Sequence, residues 1–212
     1  MKTIYIYIYI FIVMGLFSLT LTGCSSTVTL EEGQSYTIIE DDGKVSISVY
    51  LSEKELEEFY GVNIDDDKNK IKEDISYLFD QFFETNVKIT TFEKRKDGIE
   101  FTLLVDDGTS FGYNLHRTFE NFAEENDYQD IEELTDSKSF INYKNGKQLN
   151  STKLLKYKDD IVLYIYADEK GSYFQTPSKI LLIDESLIYK KISNKTIFIE
   201  EGSSGIVVFK KD

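Results

Sequence analysis

The chain offers few side chains that could form a conventional catalytic site. It contains a single histidine, His116, so a Ser-His-Asp or Cys-His arrangement would have to use that residue. His116 stands just before a short helix that the sequence predicts from about Arg117. A histidine in that position is expected on the surface or at a helix cap, and we therefore predict no catalytic residue and no enzymatic activity.

The metal-binding patterns in the sequence are incomplete. Structural or catalytic zinc needs several His or Cys ligands, and the chain has one of each. Asp65, Asp67 and Asn69 have the first part of an EF-hand spacing, but Lys70 stands where the loop needs glycine and Ser76 stands where it needs a bidentate glutamate. We interpret these acids as the start of a helix and predict neither a metal site nor a cofactor.

Three further patterns could carry binding or hydrolysis. The 38 Asp and Glu residues include many pairs that could act on a glycoside and single out none, so a carboxylate-dependent hydrolase of wall glycan stays open. Gly202-Ser203-Ser204-Gly205 joins two expected strands and opens no helix, which predicts a hairpin loop rather than a phosphate site. Lys94-Arg95-Lys96 approaches an expected turn and is too short for a binding patch.

Cys24 is the one residue whose surroundings point to a modification. Lys2 precedes an uncharged, apolar run from Ile4 to Leu21, which is the layout of a secretory signal. The run closes with Leu21-Thr22-Gly23-Cys24, which resembles the lipobox of bacterial lipoproteins. The resemblance implies cleavage of a signal peptide over residues 1–23 and attachment of diacylglycerol, with acyl chains such as palmitate, to Cys24. The expected location is the cell membrane, lipid-anchored and facing the extracytoplasmic side.

Two other interpretations of this segment remain. The apolar run could stay uncleaved as a single transmembrane anchor, which would place the chain on the same side of the membrane. Cys24 could also be an ordinary buried thiol.

The net charge of the chain limits the classes of partner that it is expected to bind. The formal net charge is −14, and removal of residues 1–23 takes away only the positive charge of Lys2. So acidic a surface disfavours nucleic acid and anionic lipid headgroups, because both are bound through Lys and Arg. The partners that we expect are the membrane, through the lipid on Cys24, and another protein of the cell envelope.

The predicted first half of the fold has the order ββ-α-ββ. Asp41-Asp42-Gly43 between alternating apolar residues predicts a hairpin over 36–51. A capping-box pattern at Ser52 and Glu55 predicts a short helix that ends at Gly61. Apolar residues then recur at helical spacing, which predicts one long helix over about 66–84 covering a face of the sheet. Six residues define that face: Ile71, Ile75, Leu78, Phe79, Phe82 and Phe83.

The remaining segments complete the expected fold class. A second hairpin is predicted over 87–105, and two short helices over 117–125 and 130–134. From residue 135 the pattern favours short strands only. We expect an α+β fold: an antiparallel sheet with one long helix packed on it, followed by an all-β C-terminal part. The expected divisions are a tether over 24–34, an α+β part over 35–134 and an all-β part over 135–212, the last two packed as one unit.

The order of these elements resembles that of LppM-type bacterial lipoproteins. The shared layout is lipobox, early hairpin, long helix, second hairpin and an all-β end. The closing segments Thr176-Pro177-Ser178-Lys179-Ile180, Asn194-Lys195-Thr196-Ile197-Phe198 and Val207-Val208-Phe209-Lys210 are similar to the last strands of that group. The chain departs from the pattern at Pro177, which is followed by serine instead of glycine. The resemblance implies a lipoprotein of the envelope and supplies no catalytic residue.

Together these features predict a membrane-anchored extracytoplasmic lipoprotein with a non-enzymatic binding or structural role. A small-ligand carrier is a further alternative beside the hydrolase. A carrier requires a pocket, and a hydrolase requires two acids that face one cleft.

Overall fold

The computed structural model describes residues 28–63, 66–83, 87–168 and 170–211. The predicted signal peptide and Cys24 lie outside these residues. Twelve strands run through the described part: β1 Ser35–Ile39, β2 Val45–Ser52, β3 Val87–Arg95, β4 Gly98–Val105, β5 Phe140–Asn142, β6 Gln148–Leu149, β7 Ile161–Tyr166, β8 Ser172–Gln175, β9 Ile180–Asp184, β10 Tyr189–Lys191, β11 Thr196–Ile199 and β12 Ser204–Phe209.

The helices of the described residues are shorter in total than the strands. The α-helices are α1 Glu53–Tyr60, α2 Lys68–Phe83, α3 Phe119–Glu125, α4 Ile131–Ser137 and α5 Ser151–Leu154. Two 3-10 helices cover Gly108–Phe111 and Leu155–Tyr157. No helix in these ranges is both long and apolar enough to cross a membrane.

The strands form two sheets. The seven-stranded sheet has the order β10-β11-β8-β1-β2-β4-β3, and the five-stranded sheet has the order β6-β5-β9-β12-β7. Most neighbouring pairs are antiparallel, but β1 and β8 are parallel, with Ser35 beside Ser172. The seven-stranded sheet therefore joins the N-terminal hairpins to strands from beyond residue 170.

Apolar residues from both sheets form one core between them. Phe101 and Ile199 of the seven-stranded sheet and Leu163 and Val207 of the five-stranded sheet belong to this core, and all four are fully buried. The helix α2 covers the part of the seven-stranded sheet near β3, with Ile71 and Ile75 inward. We call the sheet face that points into this core the inner face, and the opposite one the outer face.

A second, smaller core lies on the other side of the five-stranded sheet. The helices α3, α4 and α5 pack there against alternate residues of β7, β9 and β12. Phe119 of α3 and Phe140 of β5 are completely buried, with ring centroids 5.2 Å apart in an edge-to-face arrangement. We call this group the closed cluster.

Local sequence signals set many of the element ends. The capping box predicted at Ser52 and Glu55 is present, and Gly61 ends α1 with a left-handed φ of 64°. The hairpins β1–β2 and β3–β4 form as predicted, and the helix predicted over 66–84 is found at Lys68–Phe83. Side chains of Thr118 and Asp130 cap α3 and α4, which lie close to their predicted positions.

The predicted fold class is nevertheless wrong. The described residues are mostly β, in two packed sheets, and the 16-residue α2 is one of several helices rather than a single long helix that covers one antiparallel sheet. The reason lies in strand partners: β8, β10 and β11 join the first sheet, while β9 and β12 form the second. Local alternation identifies a strand but carries no information about which sheet it enters.

Three local expectations also need correction. The part after residue 135 was predicted to contain strands only, but it also contains α5 and the 3-10 helix Leu155–Tyr157, which bury Leu154 and Tyr157 in the closed cluster. Gly202 to Gly205 is no hairpin loop, because β11 and β12 belong to different sheets and the segment crosses between them. Residues 28–34 of the predicted tether make contacts in the described structure: Leu30 is 4% exposed, and the Gly33 N–H donates to the Tyr50 carbonyl at 2.9 Å.

Candidate functional site

An open cleft of about 750 Å³ lies on the inner face of the seven-stranded sheet. Its lining includes Phe79 of α2 and Tyr166 at the end of β7, so it lies between α2 and the five-stranded sheet, the two covers of this face. The turn after β7 crosses from the five-stranded to the seven-stranded sheet and closes one end. The cleft exists because neither cover extends over the whole inner face.

The floor of the cleft is apolar and remains partly accessible. Inner-face residues of β2, namely Ile47, Val49 and Leu51, are only partly buried, whereas Phe101 and Leu103 on the adjacent β4 are at most 1% exposed. Apolar side chains exposed in a concave site favour a ligand with an apolar surface, since contact removes both surfaces from water.

Aromatic rings form the walls. Phe79 of α2 stands 6.3 Å from Phe101, and Tyr113, which follows the 3-10 helix, stands 5.6 Å from Phe174 of β8 (ring centroids). Phe111 and Tyr166 complete the aromatic lining. Rings at these distances provide large, rigid contact surfaces.

One end of the cleft is polar. Hydroxyl groups of Ser35 and Ser172 both donate to Oδ2 of Asp168, and the Ser172 Oγ accepts from the Asp168 backbone N–H at 2.9 Å. The two serines lie side by side because β1 and β8 pair in parallel at this register. They are 7% and 5% exposed, whereas Asp168 is exposed, so a buried pair of hydroxyls fixes an accessible carboxylate.

The turn that carries Asp168 depends on glycine. Gly171 has a φ of +83°, and a Cβ atom there would lie 2.5 Å from the Phe198 ring and 2.7 Å from the Ile199 carbonyl oxygen. Any other residue would therefore clash and adopt a strained backbone. Lys170 also lines this end, and its ammonium lies 4.0 Å from Glu32.

Tyr113 supplies a neutral donor beside the polar end. Burial raises the pKa of Tyr113 to about 12, because it disfavours the charged phenolate, while the neighbouring Thr37 hydroxyl partly opposes this shift. The nearby Tyr166 and Asp168 raise the pKa of Tyr113 further. Its hydroxyl is therefore protonated throughout the physiological range.

Glu55 and Asp168, the two acids among the described residues that line the cleft, already have structural roles. Glu55 accepts from the Ser52 N–H and hydroxyl with Oε2, both at 2.8 Å, as part of the capping box of α1. Asp168 is held by the two serines. Both carboxylates face one cleft, which is the arrangement that the hydrolase alternative requires, but each has one oxygen committed to a structural hydrogen bond.

Residues that the sequence singled out lie mostly away from the cleft. His116 is exposed, and its backbone N–H donates to Asn114 Oδ1 at 2.8 Å. Asp67 accepts from the Asn69 N–H at 2.9 Å, as expected at a helix start. Among the described residues no three His, Cys, Asp or Glu side chains are grouped as metal ligands. Cys24 and Asp65 lie outside the described residues.

The short basic run lies at the end of a hairpin. Arg95 of Lys94-Arg95-Lys96 ends β3, pairs with Glu100 and lies over the Tyr50 ring at 5.7 Å. The run therefore belongs to the end of the β3–β4 hairpin, as the sequence indicated.

One sequence motif that could carry a nucleophilic serine stands next to the cleft. Gly108-Thr109-Ser110-Phe111-Gly112 matches Gly-x-Ser-x-Gly, which in hydrolases places a serine at a sharp strand-to-helix turn. Here the segment is a four-residue 3-10 helix, and the Ser110 side chain is outside the described ones. Hydrogen bonds from Thr109 lower the pKa of Asp107, and His116 nearby adds to this effect. The segment's described contribution to the cleft is Phe111.

No protein family, no curated protein sequence and no solved structure matches the chain.

Proposed function

We propose that this protein is a non-enzymatic binding lipoprotein, anchored by lipid on Cys24 to the extracytoplasmic side of the cell membrane. Its cleft binds a small amphiphile with an apolar body and a hydrogen-bond-donating or cationic head. The observation that carries the proposal is the 750 Å³ cleft with a partly exposed apolar floor and a polar end.

The size and lining of the cleft support an apolar body. Small-molecule sites commonly enclose about 300–1,000 Å³ and combine apolar walls with a few polar groups at fixed positions. The strand β2 supplies three partly exposed aliphatic residues, and Phe79, Phe111 and Phe174 supply rings around them. A linear or ring-bearing tail would bury this surface.

The charge at the polar end supports the head group. Asp168 presents an exposed carboxylate, and Glu55 adds a second acid to the lining. Among the described residues that line the cleft, Lys170 has the only cationic side chain, and its ammonium lies 4.0 Å from Glu32, which is outside the lining. In a chain of net charge −14, an ammonium head is favoured over a carboxylate.

Two matched probes test the cleft. The full chain in detergent is titrated with 4-phenylbutylamine and with 4-phenylbutyrate, which share a tail and differ in head charge, and binding is followed by saturation-transfer NMR. We expect saturable binding of the amine and much weaker binding of the acid. The Val49→Trp variant fills the cleft and is expected to abolish binding.

A control separates the cleft from general effects of a new tryptophan. Ile188 is 58% exposed and lies away from the cleft lining, so Ile188→Trp is expected to leave binding of the amine unchanged. Equal binding of both probes, or equal loss in both variants, would contradict the proposed ligand class.

The anchor has its own test. Cells that express the chain are labelled with an alkyne fatty acid, and membranes are separated from soluble material. We expect label and membrane attachment to disappear in Cys24→Ala, because Cys24 is the one cysteine in the sequence. Persistent membrane attachment without label would instead favour an uncleaved apolar anchor.

The hydrolase alternative is favoured by one observation, the presence of Glu55 and Asp168 in the same cleft. It predicts release of reducing ends from purified wall glycan and complete loss in Asp168→Asn. We expect no release by the unmodified chain. A measurable activity that Asp168→Asn removes would overturn the non-enzymatic proposal.

A further inference from the structure

The outer face of the seven-stranded sheet carries a row of side chains that crosses every strand. Strand register aligns Lys190, Phe198, Tyr173, Tyr36, Ser48, Thr102 and Thr91 in that order. We call these seven residues the outer row. They lie on the face opposite the cleft, since Tyr36 alternates with the inward Ser35 and Thr37.

One half of the outer row is aromatic. The rings of Tyr36 and Tyr173 are 6.0 Å apart, and those of Tyr173 and Phe198 are 4.8 Å apart. All three side chains are partly accessible. The Tyr36 hydroxyl donates to Gln175 Oε1 at 2.6 Å, which fixes the first ring beside an amide. The result is a continuous aromatic surface across three strands.

The other half of the outer row consists of hydroxyl groups. Ser48 Oγ and Thr102 Oγ1 are 2.9 Å apart, and the Thr91 hydroxyl donates to Thr102 Oγ1 at 2.6 Å. Hydroxyl groups both donate and accept, so this chain of three can adjust its hydrogen bonds to an incoming hydroxyl or amide.

The outer row is nearly free of charge. Its single charged member, Lys190, stands at the end, 3.3 Å from Glu200 and over the Phe198 ring. Arg95 and Glu100, on the same face of the sheet, pair with each other. Such a surface complements a neutral partner better than a charged one.

We propose that the outer row binds an extended, uncharged, β-linked polysaccharide. The C–H faces of pyranose rings pack on aromatic side chains, and the sugar hydroxyl and acetamido groups hydrogen-bond to Ser and Thr. Neighbouring strands lie about 4.8 Å apart, which is close to the length of one hexose unit, so successive sugars meet successive strands. This site is separate from the cleft and does not depend on the cleft's ligand.

The test uses the full chain in detergent and a hexamer of β-1,4-linked N-acetylglucosamine, with binding measured by calorimetry. We expect saturable binding that weakens roughly tenfold in Tyr173→Ala and in Phe198→Ala, from the loss of ring contacts. Thr102→Val keeps the side-chain shape and removes the central hydroxyl, so it is expected to weaken binding while the fold is retained.

Three controls fix the location. Tyr164→Ala removes a tyrosine of the five-stranded sheet that is 48% exposed, and Val49→Trp fills the cleft; both are expected to bind the hexamer normally. A hyaluronan hexamer, which alternates neutral and anionic sugars, is expected to bind more weakly than the neutral one.

Three outcomes would overturn the proposal. They are absence of saturable binding by the unmodified chain, equal loss in Tyr164→Ala, or unchanged binding in all three outer-row variants. Sedimentation velocity tests whether a second copy of the chain binds to the outer row instead. A concentration-dependent dimer that Tyr173→Ala dissociates, without hexamer binding, would assign the face to self-association.

Discussion

The closed cluster and the cleft are built from similar apolar residues but differ in how completely they are covered. On the five-stranded sheet, α3 and α4 lie directly over the strands, and Phe119 and Phe140 have no exposed surface. On the seven-stranded sheet, Ile47 and Val49 face the same interior as their neighbours and yet remain partly accessible.

Sheet width explains the difference. The inner face of seven strands is wider than the five-stranded sheet that packs on it, so a second cover, α2, is needed beside that sheet. Two covers that meet over one face leave a seam, and the cleft lies at that seam. The helices of the closed cluster cover only the narrower, five-stranded sheet. Exposed apolar surface costs stability, and a site that retains it is a candidate for ligand binding.

The largest expected difference between the two regions is the loss of unfolding free energy when a large side chain is replaced by alanine. Phe140→Ala removes a fully buried ring from the closed cluster and is expected to cost about 3–5 kcal/mol of unfolding free energy. Val49→Ala removes partly solvated methyl groups and is expected to cost less than about 1 kcal/mol. Urea unfolding measures both. Similar losses would mean that the cleft floor is as well packed as the closed cluster.

Alkaline pH is expected to destabilise the cleft side. The pKa of Tyr113 is about 12 in the folded chain against about 10 unfolded, so the folded state holds its proton more tightly. The stability from this group is present below pH 10 and is lost as pH rises toward 12, by on the order of 2 kcal/mol. Burial also raises the pKa of Tyr36, Tyr143 and Tyr189, so the unmodified chain loses stability in the same direction.

Tyr113→Phe isolates the contribution of the cleft wall. We expect its stability to fall less steeply than that of the unmodified chain between pH 10 and 12 in thermal unfolding followed by circular dichroism. Identical profiles would show that Tyr113 titrates normally and that the wall is more hydrated than its burial indicates.

Removal of one helix cap in each region tests the same comparison with a smaller expected change in unfolding free energy. Ser52→Ala removes the cap of α1, which borders the cleft through Glu55, and Thr118→Ala removes the cap of α3 over the closed cluster. Each is expected to cost about 1 kcal/mol in urea unfolding. Only Ser52→Ala is expected to weaken binding of 4-phenylbutylamine as well; equal binding in both variants would exclude a role for Glu55 in positioning the ligand.

The smallest effect is expected on the solvent side of α1. Lys54 and Glu58 form an exposed i,i+4 pair with a 3.9 Å separation, so Lys54→Ala is expected to change the unfolding free energy by less than about 0.5 kcal/mol. A larger change in urea unfolding would indicate that Lys54 has a further role in holding α1 beside the cleft.

The sequence by itself determined many of the elements and many of their ends. Asp41-Asp42-Gly43 places the turn of the first hairpin, and Ser52, Glu55 and Gly61 define α1. These signals work because they depend on residues within one turn or one hairpin of each other. The same holds for the lipobox pattern at Cys24, which stays a prediction.

Only the tertiary structure decided the architecture and both candidate sites. Ser35 and Ser172 form one polar pair because β1 and β8 are parallel neighbours, although they are far apart in the chain. The outer row likewise depends on the register of seven strands, and the cleft depends on how two covers meet. A strand's alternation specifies its two faces, but strand partners are chosen by the packing of the whole chain, which no local pattern contains.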